Sequence, residues 1–159
     1  MKRIFILPLA VFLVAFCGCK KDHSYPLNPL YDLDVPLRGE GKETGAGFIK
    51  FRQNADTARV VTLDTWVKHL LPNHSYLLQR AVNPVADPTG CSSTAWLTLG
   101  EGLVPKSILT DAHGDGEANL WRDISGIPRG TAFHIRFQII DAGTMELVLS
   151  SDCFDYTVR

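Results

Sequence analysis

Apolar and polar residues alternate along most of the chain beyond residue 39, with the two-residue period that is typical of a half-buried β-strand. The alternation is clearest over residues 131–141, where every second residue is a large apolar one. Residues 58–68 alternate too, although their apolar residues also fit the three- and four-residue spacing of a helix. The β-branched run Val60-Val61-Thr62 favours a strand in that segment.

Turn-forming residues separate the alternating segments. Gly, Pro, Asn and Asp cluster between them, for example over residues 83–90 and 111–116. About eight or nine short strands with turns at such close spacing predict an all-β fold, an antiparallel β-sandwich. One domain over residues 37–159 is expected, since a segment of this length is the usual size of a single domain.

The N-terminal segment carries a different pattern. Lys2 and Arg3 precede an unbroken apolar run over residues 4–16. Such a run is too short to cross a bilayer comfortably but is typical of a secretory signal peptide. Gly18 and Cys19 follow the run, and two lysines and an aspartate come next.

This arrangement resembles the lipobox of bacterial lipoproteins, in which a small residue precedes the cysteine that receives the lipid. Gly18 before Cys19 matches that pattern better than Phe16 before Cys17. The resemblance implies a signal peptide over residues 1–18, a lipid on Cys19 and attachment to a membrane of the bacterial envelope through acyl chains, with the outer membrane favoured. A plain signal peptide or an uncleaved anchor helix is the alternative.

Residues 19–36 are polar and contain Pro26, Pro29 and Pro36 without any apolar period. This composition predicts an extended, lipidated tether, with a strand docked on the domain as the alternative from about Asp32 onward. The whole chain has a formal net charge of −1 and no basic cluster, which argues against nucleic acid as a partner.

The four cysteines differ in their predicted fates. Cys17 leaves with the signal peptide and Cys19 carries the lipid, so Cys91 and Cys153 remain. Two remaining cysteines outside the cytoplasm favour a disulfide bond. A reactive cysteine nucleophile is the alternative, and it would need a histidine within reach.

The segment Leu70-Leu71-Pro72-Asn73-His74-Ser75-Tyr76 resembles the tyrosine corner of fibronectin type III and related immunoglobulin-like domains. The resemblance implies that Pro72 and Asn73 shape a turn and that the Tyr76 hydroxyl bonds to upstream backbone. It implies a sandwich architecture but no function. The chain departs from the family because about 80 residues follow Tyr76, more than such a module would need.

Asp111, His113 and Asp115 form a fragment that is similar to a calcium-binding loop. An EF-hand loop needs a carboxylate at its twelfth position, and Arg122 stands there. A hairpin turn at this segment is therefore favoured over a metal site. The histidines show no metal-ligand spacing either, and the sequence predicts neither a metal nor a cofactor.

The chain has three tryptophans, Trp66, Trp96 and Trp121. Each is predicted to point to the polar face of its strand, opposite to the apolar side chains. Indole rings on a polar face can stack on sugar rings or pack on a partner protein, so the three are candidate ligand-binding residues. The alternative is a parity slip at a bulge, or packing of a tryptophan beneath a loop.

Together these features predict a lipid-anchored envelope protein whose domain is a binding or structural module for a glycan or an envelope protein. The alternative is a small envelope hydrolase with a site assembled from separated strands. Binding is favoured because the sequence contains no Gly-x-Ser-x-Gly, no Walker loop and no dinucleotide-binding glycine motif.

Overall fold

The computed structural model describes residues 32–39, 45–54, 59–87 and 90–159. The predicted signal peptide, Cys19 and the tether up to residue 31 lie outside the described residues. Residues 32–36, which the sequence assigned to the tether, belong to the first strand. The described residues form strands and turns with no helix, which confirms the all-β prediction. No described segment is a helix that is long and apolar enough to span a membrane.

Twelve strands are present in the described part of the chain. In order, they are β1 (Asp32–Gly39), β2 (Ala46–Gln53), β3 (Val60–Lys68), β4 (Ser75–Pro84), β5 (Leu97–Thr98), β6 (Gly100–Glu101), β7 (Val104–Pro105), β8 (Ser107–Leu109), β9 (Gly116–Asp123), β10 (Ala132–Asp141), β11 (Leu147–Ser151) and β12 (Phe154–Thr157).

These strands form one continuous sheet in the order β5-β4-β10-β11-β1-β2-β3-β9-β6-β7, with β12 beside β10 and β8 beside β4. Their pairing is antiparallel except between β6 and β9, where Glu101 lies opposite Trp121 in parallel. The sheet is therefore mixed, and it does not clearly divide into the two facing layers of the predicted antiparallel sandwich.

The two ends of the sheet are joined at Leu99, so that the sheet is nearly closed into a barrel. Leu99 is the single residue between β5, which pairs with β4, and β6, which pairs with β9. Its backbone N–H donates to the Leu78 carbonyl on β4 at 2.8 Å, and its side chain is buried. One short segment therefore connects strands that lie at opposite ends of the pairing order.

The alternation read from the sequence matches the two faces of the sheet. On β3, Val61, Leu63 and Val67 point inward and are buried, whereas Trp66 and Lys68 point outward. The core consists of such inward residues from every long strand, and its largest fully buried side chains include Tyr76, Phe137, Leu37, Ile49 and Leu63. The helical alternative for residues 58–68 is wrong, because strand pairing on both sides of β3 satisfies its backbone.

A buried amide closes the C-terminal end of the sheet. Gln53 is 2% exposed, and its Oε1 accepts hydrogen bonds from the Tyr156 hydroxyl and the Arg159 N–H, each at 2.9 Å. A buried amide oxygen with two donors is fully satisfied. Gln53 thereby holds the end of β2 against the chain that follows β12.

The predicted disulfide is present between Cys91 and Cys153, with a Cα–Cα distance of 5.8 Å. Cys153 stands at the break between β11 and β12, which lie one after the other along the same edge of β10. Cys91 belongs to the connection between β4 and β5. The disulfide therefore links the β4–β5 connection to the junction between β11 and β12, which pair in succession with the same edge of β10.

Candidate functional site

Two exposed aromatic rings lie side by side on the outer face of β2 and β3. The strand register places Phe48 opposite Trp66, and their ring centroids are 6.2 Å apart at an interplanar angle of 34°. Trp66 is 36% exposed and Phe48 is 39% exposed. Side chains alternate between the two faces of a strand, so the burial of Ile49 and Val67 fixes both rings toward solvent.

Trp121 occupies the same outer face, on β9. It lies opposite Thr62 on β3 and is 42% exposed. Trp66 lies opposite Glu117, so the two indoles are separated by four residues along β9, about 13 Å at the usual strand rise. We call Phe48, Trp66 and Trp121 the aromatic face.

Between the two indoles runs a polar row of Lys50, Asp64 and Asn119, which the register aligns across β2, β3 and β9. The Trp121 ring itself packs over Gly102 in the β6–β7 turn, where an added Cβ would come within 2.8 Å of the ring. The aromatic face is thus interrupted by charges in its centre and supported by a turn at one end.

Acidic side chains converge beside Trp66. A depression of about 240 Å³ between Trp66 and the β8–β9 turn is lined by Lys68, Asp111, Asp115 and Glu117. We call it the acidic depression. A second hollow of about 190 Å³, lined by Phe48, Ala46 and Lys68, lies on the other side of the same indole. The Trp66 side chain therefore separates two hollows. The hollow beside Phe48 is aromatic, and the acidic depression is rich in hydrogen-bond acceptors.

The β8–β9 turn holds its carboxylates through its own backbone. Asp111 Oδ1 accepts hydrogen bonds from the backbone N–H groups of His113 at 2.7 Å and Asp115 at 3.1 Å. The turn also approaches Leu70 so closely that a Cβ at Gly114 would lie 2.0 Å from the Leu70 carbonyl oxygen. This is the hairpin that the sequence favours, with Asp111 as the residue that organises it.

The electrostatics of Asp111 follow from the same bonds. The N–H groups of Asp115 and His113 hold the pKa of its carboxyl below the usual range, because they stabilise the ionised form. A general acid needs a raised pKa instead. Asp111 therefore acts as an ionised acceptor and a turn-former, and it offers no proton at neutral pH.

Metal-ligand geometry is not found at this turn. Within residues 32–39, 45–54, 59–87 and 90–159, no group of three or more His, Cys, Asp or Glu side chains is arranged to hold a metal ion. The His113 side chain is 87% exposed, and its Nδ1 lies 3.8 Å from Asp111 Oδ2. Asp111 and Asp115 instead face the acidic depression beside Trp66.

Trp96 is separate from the aromatic face. It lies in the connection before β5, and the Arg136 guanidinium on β10 lies 4.8 Å from its ring centroid. Arg136 also donates to the Ser93 carbonyl at 2.9 Å. The structure therefore brings Trp66 and Trp121 to one face and leaves Trp96 as packing for an arginine, which is a cation–π contact.

Sequence reasoning did not identify Phe48 and Glu117 as part of this site. Phe48 and Ile49 are both apolar and adjacent, so the pattern alone does not show which of them faces outward. Glu117 becomes a neighbour of Trp66 only through the register of β3 with β9, whose partners lie about 50 residues apart in sequence. The outward parity of Trp66 and Trp121 was visible in the alternation.

The site therefore combines flat apolar rings with fixed acceptors and two cations, Lys50 and Lys68. Such a set binds a ligand that has both apolar faces and hydroxyl donors, and it provides no nucleophile–base pair. Searches with family models, among curated proteins and among solved structures give no significant match for this chain.

Proposed function

We propose that this chain is a lipid-anchored envelope lipoprotein whose β domain is a binding module, with the aromatic face as its ligand-binding surface. The observation that carries the proposal is the exposure of Trp66 between Phe48 and the acidic depression. Exposed large apolar side chains that lie side by side on a domain surface are typical of an interaction site. The partner is a glycan or an envelope protein.

Of the two partner classes, the acidic depression favours the glycan. A sugar ring presents an apolar face of C–H groups and a rim of hydroxyl donors, which match an indole and neighbouring carboxylates. The carboxylates of Asp111, Asp115 and Glu117 accept such donors at the edge of the Trp66 ring. Charged acceptors form hydrogen bonds roughly twice as strong as neutral ones.

Binding of a glycan panel to the purified protein tests this proposal. Trp66→Ala should weaken binding by about tenfold or more, because aromatic truncation at a binding hot spot costs about 2 kcal/mol. Leu147→Ala is the matched control, since Leu147 is similarly exposed at 40% on β11. If no glycan binds, or if Trp66→Ala binds as well as the wild type, the glycan assignment is wrong.

Two other results, from protein capture and from sugar release, would redirect the proposal. Capture of an envelope protein by the wild type, lost in Trp66→Ala, would identify a protein partner at the same surface. Release of free sugar during the incubation would instead support the alternative of a small envelope hydrolase, with its carboxylates in the acidic depression.

The lipid anchor has its own test, because it concerns residues outside those described. Metabolic labelling with a palmitate analogue should tag the wild type, and Cys19→Ala should abolish the tag. Cys17→Ala is the control and should stay labelled. Loss of label with Cys17→Ala, or labelling that persists in Cys19→Ala, would overturn the assignment of Cys19.

The immunoglobulin-like, antiparallel sandwich architecture is part of this proposal and is supported by the corner at Leu70–Tyr76. An experimental structure in which the short strands β5 and β6 separate β4 from β9, leaving two facing layers, would support it. A fully closed sheet would refute it.

A further inference from the structure

A cavity of about 300 Å³ lies inside the rolled sheet, away from the aromatic face. Its wall is mostly apolar and comes from inward positions of the long strands and from the β9–β10 connection; examples are Phe51, Leu63, Val82, Ile127 and Ile135. Pockets that bind small organic molecules begin at about this volume. The core therefore leaves room for a ligand body among apolar side chains.

Arg80 projects into this apolar cavity from β4. It occupies the inward parity of the strand, between the buried Leu78 and the cavity-lining Val82. Within the described part of the chain, its half-buried side chain forms no hydrogen bond and no ion pair. Burial, reinforced by repulsion from Arg122, lowers the pKa of the Arg80 guanidinium. A charge in this position lacks the partner that burial normally demands.

The other polar groups around the cavity are already engaged. Arg122 donates through Nη1 to the Gly102 carbonyl at 3.0 Å, and the Tyr156 hydroxyl donates to Gln53. Among the described residues that line the cavity, Asp123 is the one carboxylate, and it accepts the Ser125 N–H at 2.7 Å at the end of β9. The interior is therefore apolar with an uncompensated positive charge.

We propose that this cavity binds a small amphipathic carboxylate, with its apolar body among the inward side chains and its carboxylate on the Arg80 guanidinium. An arginine fork matches a carboxylate with two parallel hydrogen bonds, and a dry surrounding strengthens them. The bound anion would provide the partner that Arg80 lacks. The site is separate from the aromatic face and does not depend on the function proposed for it.

The β9–β10 connection forms one wall of the cavity and is held from outside by Arg59. Arg59 Nη1 donates to the Ser125 carbonyl at 2.9 Å, and Nη2 donates to the Ile127 carbonyl. Gly126, between these two residues, lines the cavity, and a Cβ added there would meet no atom within 4 Å. Gly126 is exposed, so this connection forms the solvent-facing rim of the cavity.

Calorimetric titration of the purified full chain with decanoate and with 1-decanol tests the proposal. The two probes share an apolar chain and differ in charge. Wild type should bind decanoate about tenfold or more tightly than decanol, the ratio that a charge-assisted hydrogen bond provides. Arg80→Met should abolish this preference, whereas Lys50→Met, the same charge change on the outer face of β2, should keep it. Equal binding of both probes by wild type would overturn the proposal.

The unfolding midpoint of the Arg80 variant separates binding from folding. Arg80→Met should not lower the midpoint of the empty protein, since it removes an uncompensated buried charge. A marked fall in that midpoint would show that Arg80 has a structural partner and would overturn the site.

Discussion

The Tyr76 hydroxyl accepts a hydrogen bond from the backbone N–H of Leu71 at 3.0 Å. This bond spans the turn that contains Asn73, whose φ of 50° lies in the left-handed region that asparagine tolerates. The Asn73 N–H in turn donates to the Asp111 carbonyl at 2.9 Å. The corner read from the sequence therefore links the start of β4 to the β8–β9 turn beside the aromatic face.

Tyr76→Phe removes the acceptor for the Leu71 N–H and keeps the ring in the core. We expect a loss of about 1 kcal/mol in the free energy of unfolding, the usual net value of one hydrogen bond. Urea denaturation measures it, with the exposed Leu109→Ala as a control that should change little. A wild-type stability for Tyr76→Phe would mean that the bond contributes nothing to the corner.

Asp141 should make the free energy of unfolding depend on pH in the acid range. The N–H groups of Thr144 and Gly143, together with His74, hold the pKa of the Asp141 carboxyl below its ordinary value. A lowered folded pKa gives stability that is present above the unfolded pKa, about 3.9, and is lost as the pH falls through the folded value. Asp141→Asn should therefore be less stable at pH 7 and lose less stability below pH 4, as measured by thermal unfolding.

The control for this variant is Asp152→Asn, which removes an ion pair with Arg38 between two side chains that are 70% and 67% exposed. Exposed pairs contribute little, so its unfolding profile should follow the wild type across the pH range. If Asp141→Asn also follows the wild type below pH 4, the bonds to its carboxyl do not operate in solution.

Phe137→Ala should cost about 3–5 kcal/mol, because it removes a large aromatic side chain from the core. Phe137 is 1% exposed, and its ring meets that of Phe51 edge-on at 6.1 Å. Phe48→Ala is the matched control on the outer face and should cost about 1 kcal/mol or less. Similar costs for both variants would show that the inner and outer faces are not distinguished as described.

Loss of the Cys91–Cys153 bond should lower stability by about 4 kcal/mol at most, from the chain entropy of a loop with a sequence separation of 62. The double variant Cys91→Ser, Cys153→Ser reports this cost in urea denaturation. A reductant should destabilise the wild type and leave the double variant unchanged. Free thiols at these two positions in unreduced, unfolded protein would contradict the bond.

Native tryptophan fluorescence should be accessible to acrylamide, because Trp66 and Trp121 face solvent. The variant Trp66→Phe, Trp121→Phe retains only Trp96, which packs under Arg136. Its emission should move to shorter wavelength and its quenching should fall. If the double variant is quenched as readily as wild type, the exposure of the aromatic face differs from that described here.

The sequence predicted those features of the fold that a few neighbouring residues determine. The alternation of Val61, Leu63 and Val67 placed β3 and its inner face, because side-chain direction has a fixed two-residue period. Asp111 and Gly114 predicted the hairpin, because turn chemistry depends on a few adjacent residues. Cys91 and Cys153 were paired by elimination.

The near-closure of the sheet and the register between distant strands could not be predicted from local sequence. Leu99 joins the sheet ends only because β4 and β9 come to lie on either side of it, and no local signal encodes that placement. Trp66 lies opposite Glu117 through a non-local register for the same reason. Arg80 also escaped notice, since an arginine on an inward parity reads from sequence as a break in the apolar pattern.

Pairing between β1 and β11 delays the moment at which the sheet can form during synthesis. β1 lies between β2 and β11. Where β1 meets the end of β11, Arg38 bonds to Asp152, which is 114 positions away in the chain. Strands that await such distant partners fold slowly. A growing chain can therefore pair β1, β2 and β3 early, but it cannot complete the sheet until nearly all of the chain has been made. Completion of the sheet therefore follows synthesis of the chain rather than accompanying it.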